Sequence, residues 1–200
     1  MNIDFIKNIL PILLKGSVMT VELTIITIIL GSILGILLAL LRLSNNKVLK
    51  YISSFYAWIF RGTPLLLQLF FFYYGLPFIG IELTPFTAAV IGIQSIEQGQ
   101  FEAAKALGFN YTQTMKKIIL PQTFKVIIPP VGNEFISILK DTSLVSTIAM
   151  VELMRSAQQI YATSFDPISV FLTAAVFYLI MTTVFTTVFG IIERKLSVYN

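Results

Sequence analysis

The chain has 200 residues, 56% hydrophobic and only 12% charged, with a net charge of +4 and a mean hydropathy of +0.85. Few soluble domains are so apolar and so poor in charge, so the composition points to an integral membrane protein. Cysteine and histidine are both absent. That excludes disulfides and cysteine or histidine metal sites and removes the commonest general base, so neither an enzyme nor a metal protein is expected.

The apolar blocks are continuous rather than alternating, which favours membrane helices over a β-barrel. Residues 1–15 are short and mixed and contain Pro11. Residues 17–41 form the first long apolar run. Its length suits a bilayer-spanning helix and exceeds the apolar core of a cleaved leader. Gly31 and Gly35 make a G-x-x-x-G within it, a spacing that lets another helix approach closely. Residues 42–50 carry Arg42, Lys47 and Lys50. The positive-inside rule places this loop in the cytoplasm and the N-terminus outside.

Residues 51–76 read as a second span, interrupted by Arg61-Gly62-Thr63-Pro64. Thr63 is placed to cap a helix whose first residue is Pro64. Arg61 either snorkels to the inner surface or has a structural role. The aromatic cluster at 70–74 fits the outer interface, and residues 75–82 a short outer loop. The apolar stretch 84–93 is only ten residues, too short to span. Yet the lysines that follow, Lys105, Lys116, Lys117 and Lys125, belong in the cytoplasm, which requires a third crossing.

Residues 100–121, QFEAAKALGFNYTQTMKKIILP, form a polar island. Ser95 with Gln98, and Asn110 with Gln113, are candidate capping boxes for two short helices, with Gly108 ending the first and Pro121 limiting the second. A bare E-A-A would equally describe an amphipathic pair lying on the membrane surface. Here Glu102-Ala103-Ala104 is followed by Gly108 and, further on, by Ile118-x-Leu120-Pro121. The whole spacing resembles the coupling loop of permease subunits in ATP-binding-cassette importers. The run R-G-T-P-L-L-L-Q-L at 61–69 resembles the polar amino acid branch of that family.

Beyond the loop, residues 124–150 form another membrane region that Pro129-Pro130 is expected to break early. It contains Asn133, Glu134, Lys140 and Asp141. Glu134 and Asp141 are two helical turns apart, so both carboxylates share nearly one face, where they could attract a cationic group in a wet cavity. Asn133 adds hydrogen-bonding capacity beside them. The alternatives are an ion pair with Lys140 or a position at the membrane edge. Residues 151–166 read as an outer loop or surface helix, and residues 167–192 as the last span, followed by a basic cytoplasmic end, Glu193-Arg194-Lys195.

The resemblance implies an all-α integral membrane fold with a five-helix importer-permease core. It also implies that most of a third helix is missing near Ile91-Gly92, through a deletion or an incomplete sequence. The expected organisation is an extracytoplasmic segment at 1–16, a transmembrane domain at 17–195 with a cytoplasmic coupling loop at 94–123, and a tail at 196–200. By resemblance, Glu102, Ala103, Ala104, Gly108, Ile118, Leu120 and Pro121 dock a cytosolic ATPase subunit, and Asn133, Glu134 and Asp141 lie on the substrate path. The implied partners are two such ATPase subunits, an extracellular or periplasmic amino-acid-binding protein, a second permease copy or paralogue, and membrane lipid. The expected location is the plasma membrane of a prokaryote. The chain has no G-x-x-x-x-G-K-[ST] loop, so ATP belongs on the partner and no cofactor is expected here. No motif argues for nucleic acid. The implied activity is import of a polar amino acid, with a basic one such as arginine or lysine favoured by the acid pair and glutamine the alternative. A channel or non-transport membrane protein using the loop for another partner is the rival of a different class.

Overall fold

The computed structural model describes residues 3–82, 84 and 120–197, and these are helical, with no strand among them. The coupling-loop residues Glu102, Ala103, Ala104, Gly108 and Ile118, both candidate capping boxes and the join at Ile91-Gly92 lie outside the described residues.

The first helix, α1 (Ile3–Leu43), is about 60 Å long. It begins well before the apolar run and passes through Pro11 unbroken. Its buried residues follow a three-to-four repeat that includes Gly16, Ser17, Thr20, Thr24, Gly31 and Gly35. Ile25, Ile29, Ile33, Leu37 and Leu40 point outward. This is the pattern of a helix in lipid: large apolar groups face the acyl chains, and small residues let neighbouring backbones approach. The buried hydroxyls bond back one turn, Ser17 Oγ donating to Leu13 O (2.9 Å) and Thr24 Oγ1 to Thr20 O (2.7 Å). At Gly16 an added Cβ would lie 2.7 Å from Ser156 Oγ and 2.9 Å from Leu153 Cα, so only glycine fits that crossing.

Asn46 opens α2 (Lys47–Gly62), its side chain accepting from Val48 N–H. The interruption expected at residues 61–64 is a sharp bend. α2 and the segment Leu65–Ile79 meet at a 106° bend. That segment comprises α3 (Leu65–Phe70), a π-helical turn (Phe71–Gly75) and a 3₁₀ turn (Leu76–Ile79) closed by left-handed Gly80. Thr63 does not cap α3 as expected. Pro64 occupies the cap position without a side-chain bond, and Thr63 Oγ1 donates backward to Ile59 O. Gln68 secures the bend instead, its Nε2 lying 2.9 Å from Phe60 O, 3.0 Å from Thr63 O and 2.8 Å from Thr63 Oγ1.

α4 (Leu120–Asp141) runs through Pro129-Pro130 without the expected break, and a 3₁₀ helix, Thr142–Ile148, extends it to left-handed Ala149. Prolines are tolerated in membrane helices because neighbouring helices re-satisfy the freed backbone groups. Here α4 packs on α6 (Pro167–Ser197). Gly132 meets Phe189 so closely that a Cβ would lie 2.9 Å from its Cγ, and Phe135 packs against Phe185 and Phe189. Between them, where the sequence left an outer loop or surface helix open, α5 (Leu153–Ser164) forms a short helix with Leu153, Ser156, Ala157 and Ile160 buried, ended by left-handed Phe165. α1 and α6 are each long and apolar enough to cross a membrane, and the bent α2–α3 pair is together a third candidate.

Candidate functional site

α4 carries the side chains singled out from sequence. Asn133 is exposed, and Glu134 and Asp141 are half-buried. The helix puts the two carboxylates within about 20° of one another and about 10 Å apart along its axis. Ile138 lies between them on nearly the same face, in one buried cluster with Leu23 of α1 and Leu69 of α3. The acidic face of α4 therefore turns toward α1 and α3.

Glu134 Oε1 is shielded from solvent and has no hydrogen-bond partner among the described residues. The same is true of Thr27 Oγ1, which sits on the α1 seam four residues from Leu23. A buried carboxylate oxygen without a donor is costly, and intramembrane acids persist mainly where function uses them. Lys140 is exposed, and among the described residues it forms no ion pair with either acid. The structural ion pair considered from sequence is thus not realised. Thr27 was not singled out, because one threonine among several in an apolar run carries no signal of its own.

Sequence reasoning also missed Glu152, which is fully buried. It caps α5, Oε1 accepting from Arg155 N–H (2.7 Å) and Oε2 from Met154 N–H (2.8 Å). Oε2 further accepts from the hydroxyls of Tyr178 (3.1 Å) and Thr20 (3.3 Å), and Thr20 Oγ1 accepts from Leu153 N–H. One carboxylate thereby ties α5 to α1 and α6.

Of the residues expected to dock the ATPase subunit, Leu120 and Pro121 are described in their backbone and belong to α4. The end of the coupling motif and the acid pair therefore share one helix, Glu134 lying about 21 Å along it from Leu120.

Residues 31–198 match the family described as binding-protein-dependent transport system inner membrane component. The chain belongs to that family. It is 41% identical to the L-cystine transport system permease protein of Bacillus subtilis, covering 94% of this chain and 88% of the relative. It is 36% identical to the arginine transport system permease protein of the same organism, covering 98% and 99%. In fold it resembles a crystal structure of an amino acid ABC transporter with histidines, with a TM-score of 0.81, 33% identity and coverage of 98% of this chain and all of the other.

These relatives are longer than the chain over the matched region. The cystine relative aligns over 206 positions with 94% of 200 residues, so about 18 of its positions have no counterpart here. For the arginine relative, 216 positions against 98% leave about 20. Those totals match the bulk of a membrane-spanning helix of about 20 residues.

Proposed function

We propose that the chain is the permease subunit of an ATP-driven amino acid importer and that its substrate carries a positive charge. Membership of the family supports an inner-membrane transport component, and the relatives' names support amino acids as cargo. The observation that carries the charge preference is the buried, unpartnered oxygen of Glu134, two turns from Asp141. An ammonium or guanidinium passing that face would supply the missing donors. Thr27 would add a hydroxyl from the facing helix.

The mechanism follows from α4. Glu102, Ala103, Ala104, Gly108 and Ile118 would dock a cytosolic ATPase subunit, and Leu120-Pro121 would pass its motion directly into the helix that bears the acids. ATP binding on the partner closes the ATPase pair and tilts α4, and hydrolysis resets it, so the acid face opens alternately to each side. An extracellular binding protein delivers the amino acid, and a second permease copy or paralogue completes the path. The basic groups Arg42, Lys47 and Lys50 and the end Glu193-Arg194-Lys195 support a cytoplasmic placement for both, with the N-terminus outside.

The test is ATP hydrolysis by the reconstituted complex, with its binding protein, against a panel of amino acids. Arginine or lysine should stimulate it, and Glu134→Gln should weaken that response at least about tenfold while sparing assembly. Stimulation by glutamine alone would keep the importer and overturn the charged substrate. No response to any amino acid by an assembled complex would mean that the short third segment disables the chain.

A further inference from the structure

The helix α2 divides lengthwise into three sectors when its residues are placed about 100° apart. Ser53 and Ala57 are buried against α1, with Ser53 Oγ donating to Leu38 O at 2.9 Å. A second sector, about 60° wide, holds Lys47, Lys50, Ser54 and Arg61. The third holds Val48, Tyr51, Ile52, Phe55, Trp58 and Ile59, all exposed. Within it the rings of Tyr51, Phe55 and Trp58 form a continuous ribbon, with centroids 6.1 and 6.0 Å apart.

The cationic sector is the floor of an open groove walled by Arg42 from the end of α1. Arg42, Lys47, Lys50 and Ser54 line one half, with Tyr51 at its rim. Arg42, Ser54 and Arg61 line the other, with Trp58 at its rim. Residues 42–64 contain no aspartate or glutamate.

We propose that this groove holds the phosphate of an anionic glycerophospholipid, in the cytoplasmic leaflet where the positive-inside rule places residues 42–50. The inference rests on the inner-membrane placement of the family and is independent of the substrate's charge. Two features select a lipid over a soluble anion. The apolar, aromatic sector borders the cationic one along the whole helix, as in helices that lie at the boundary of headgroups and acyl chains. The 106° bend sets α2 steeply across the direction of the segment Leu65–Ile79, so the two do not both run along the bilayer normal. Ser54 would donate its hydroxyl to a phosphate oxygen, Lys47 and Lys50 would contribute charge, and Tyr51 and Trp58 would lie beside the upper acyl chains.

The test is native mass spectrometry of the purified permease complex in mixed micelles offering phosphatidylglycerol and phosphatidylcholine in equal amounts. Phosphatidylglycerol should be retained in preference, and soluble glycerol phosphate should not displace it. The double variant K47Q/K50Q should lower its retention about tenfold or more, since each lysine near an anionic headgroup contributes a several-fold effect. The double variant K47R/K50R, which keeps the charge, should retain it and controls for folding. Equal retention of the two lipids, unchanged retention in K47Q/K50Q, or displacement by glycerol phosphate would overturn the proposal. So would loss of the ATPase subunit from K47Q/K50Q with lipid retention unaltered, which would make the groove a protein contact.

Discussion

Glu152 and Glu134 are both acids held within the helix bundle, and they are treated in opposite ways. Glu152 has four donors on its two oxygens, drawn from its own helix and from α1 and α6. Glu134 has a buried oxygen with no donor among the described residues. A saturated buried carboxylate fixes geometry, because every contact would have to break for a helix to move. A buried carboxylate oxygen left without a donor is a cost to the fold rather than a tie within it. On the proposed function, the contrast separates a residue that holds α1, α5 and α6 together from one that faces the substrate on α4.

The sharpest way to break the contrast is to remove the scaffold acid. Glu152→Ala takes away the α5 cap and strands the hydroxyls of Thr20 and Tyr178, and should cost about 3 kcal/mol in a denaturant titration of the detergent-solubilised protein. Gly16→Ala attacks the same junction sterically. Its new Cβ meets the backbone of Glu152 and Leu153, which cannot swing aside, so about 2 kcal/mol should be lost in the same assay. Glu134→Gln should do the reverse of Glu152→Ala, shifting stability by less than about 1 kcal/mol while reducing the response to cationic substrate. A large loss of stability there would make Glu134 a second scaffold residue.

The smallest effect concerns Asp166, which precedes α6 outside the span. Hydrogen bonds from the Ser169 hydroxyl and backbone N–H hold its carboxyl below the usual aspartate range. Its contribution is fully present above the ordinary aspartate value of about 3.9 and is lost as pH falls through the lowered folded value. Thermal unfolding followed into acid should show that slope in the parent and a flatter profile in Asp166→Asn.

The spans 17–41 and 167–192 were legible because apolar runs of that length leave little else for the chain to do. The polar segment after residue 151 and the shared face of Glu134 and Asp141 were legible for a similar reason, since both rest on local spacing. What escaped was non-local. Glu152 meets Thr20 across 132 residues, and no local pattern announces that bond. Gly16 lies just outside the apolar run, and only the structure shows that its crossing leaves no room for a Cβ. Pro129-Pro130 read as a break because local rules for proline assume water, whereas α4 has α6 alongside it. At Arg61-Gly62-Thr63-Pro64 the interruption was legible, but local residue types carry no angle, and the chain turns there through 106°.

That turn has a consequence for the membrane as an electrical insulator. A helix end exposes carbonyl groups that draw water, and water threading into a bilayer is a route for ion leakage. Gln68 brings its amide to Phe60 O and Thr63 O from one turn inside α3 and is itself buried. Two of the carbonyls that the bend frees are thereby bonded within the chain that makes it. The bend can therefore enter an apolar surrounding without leaving those two carbonyls to be met by water.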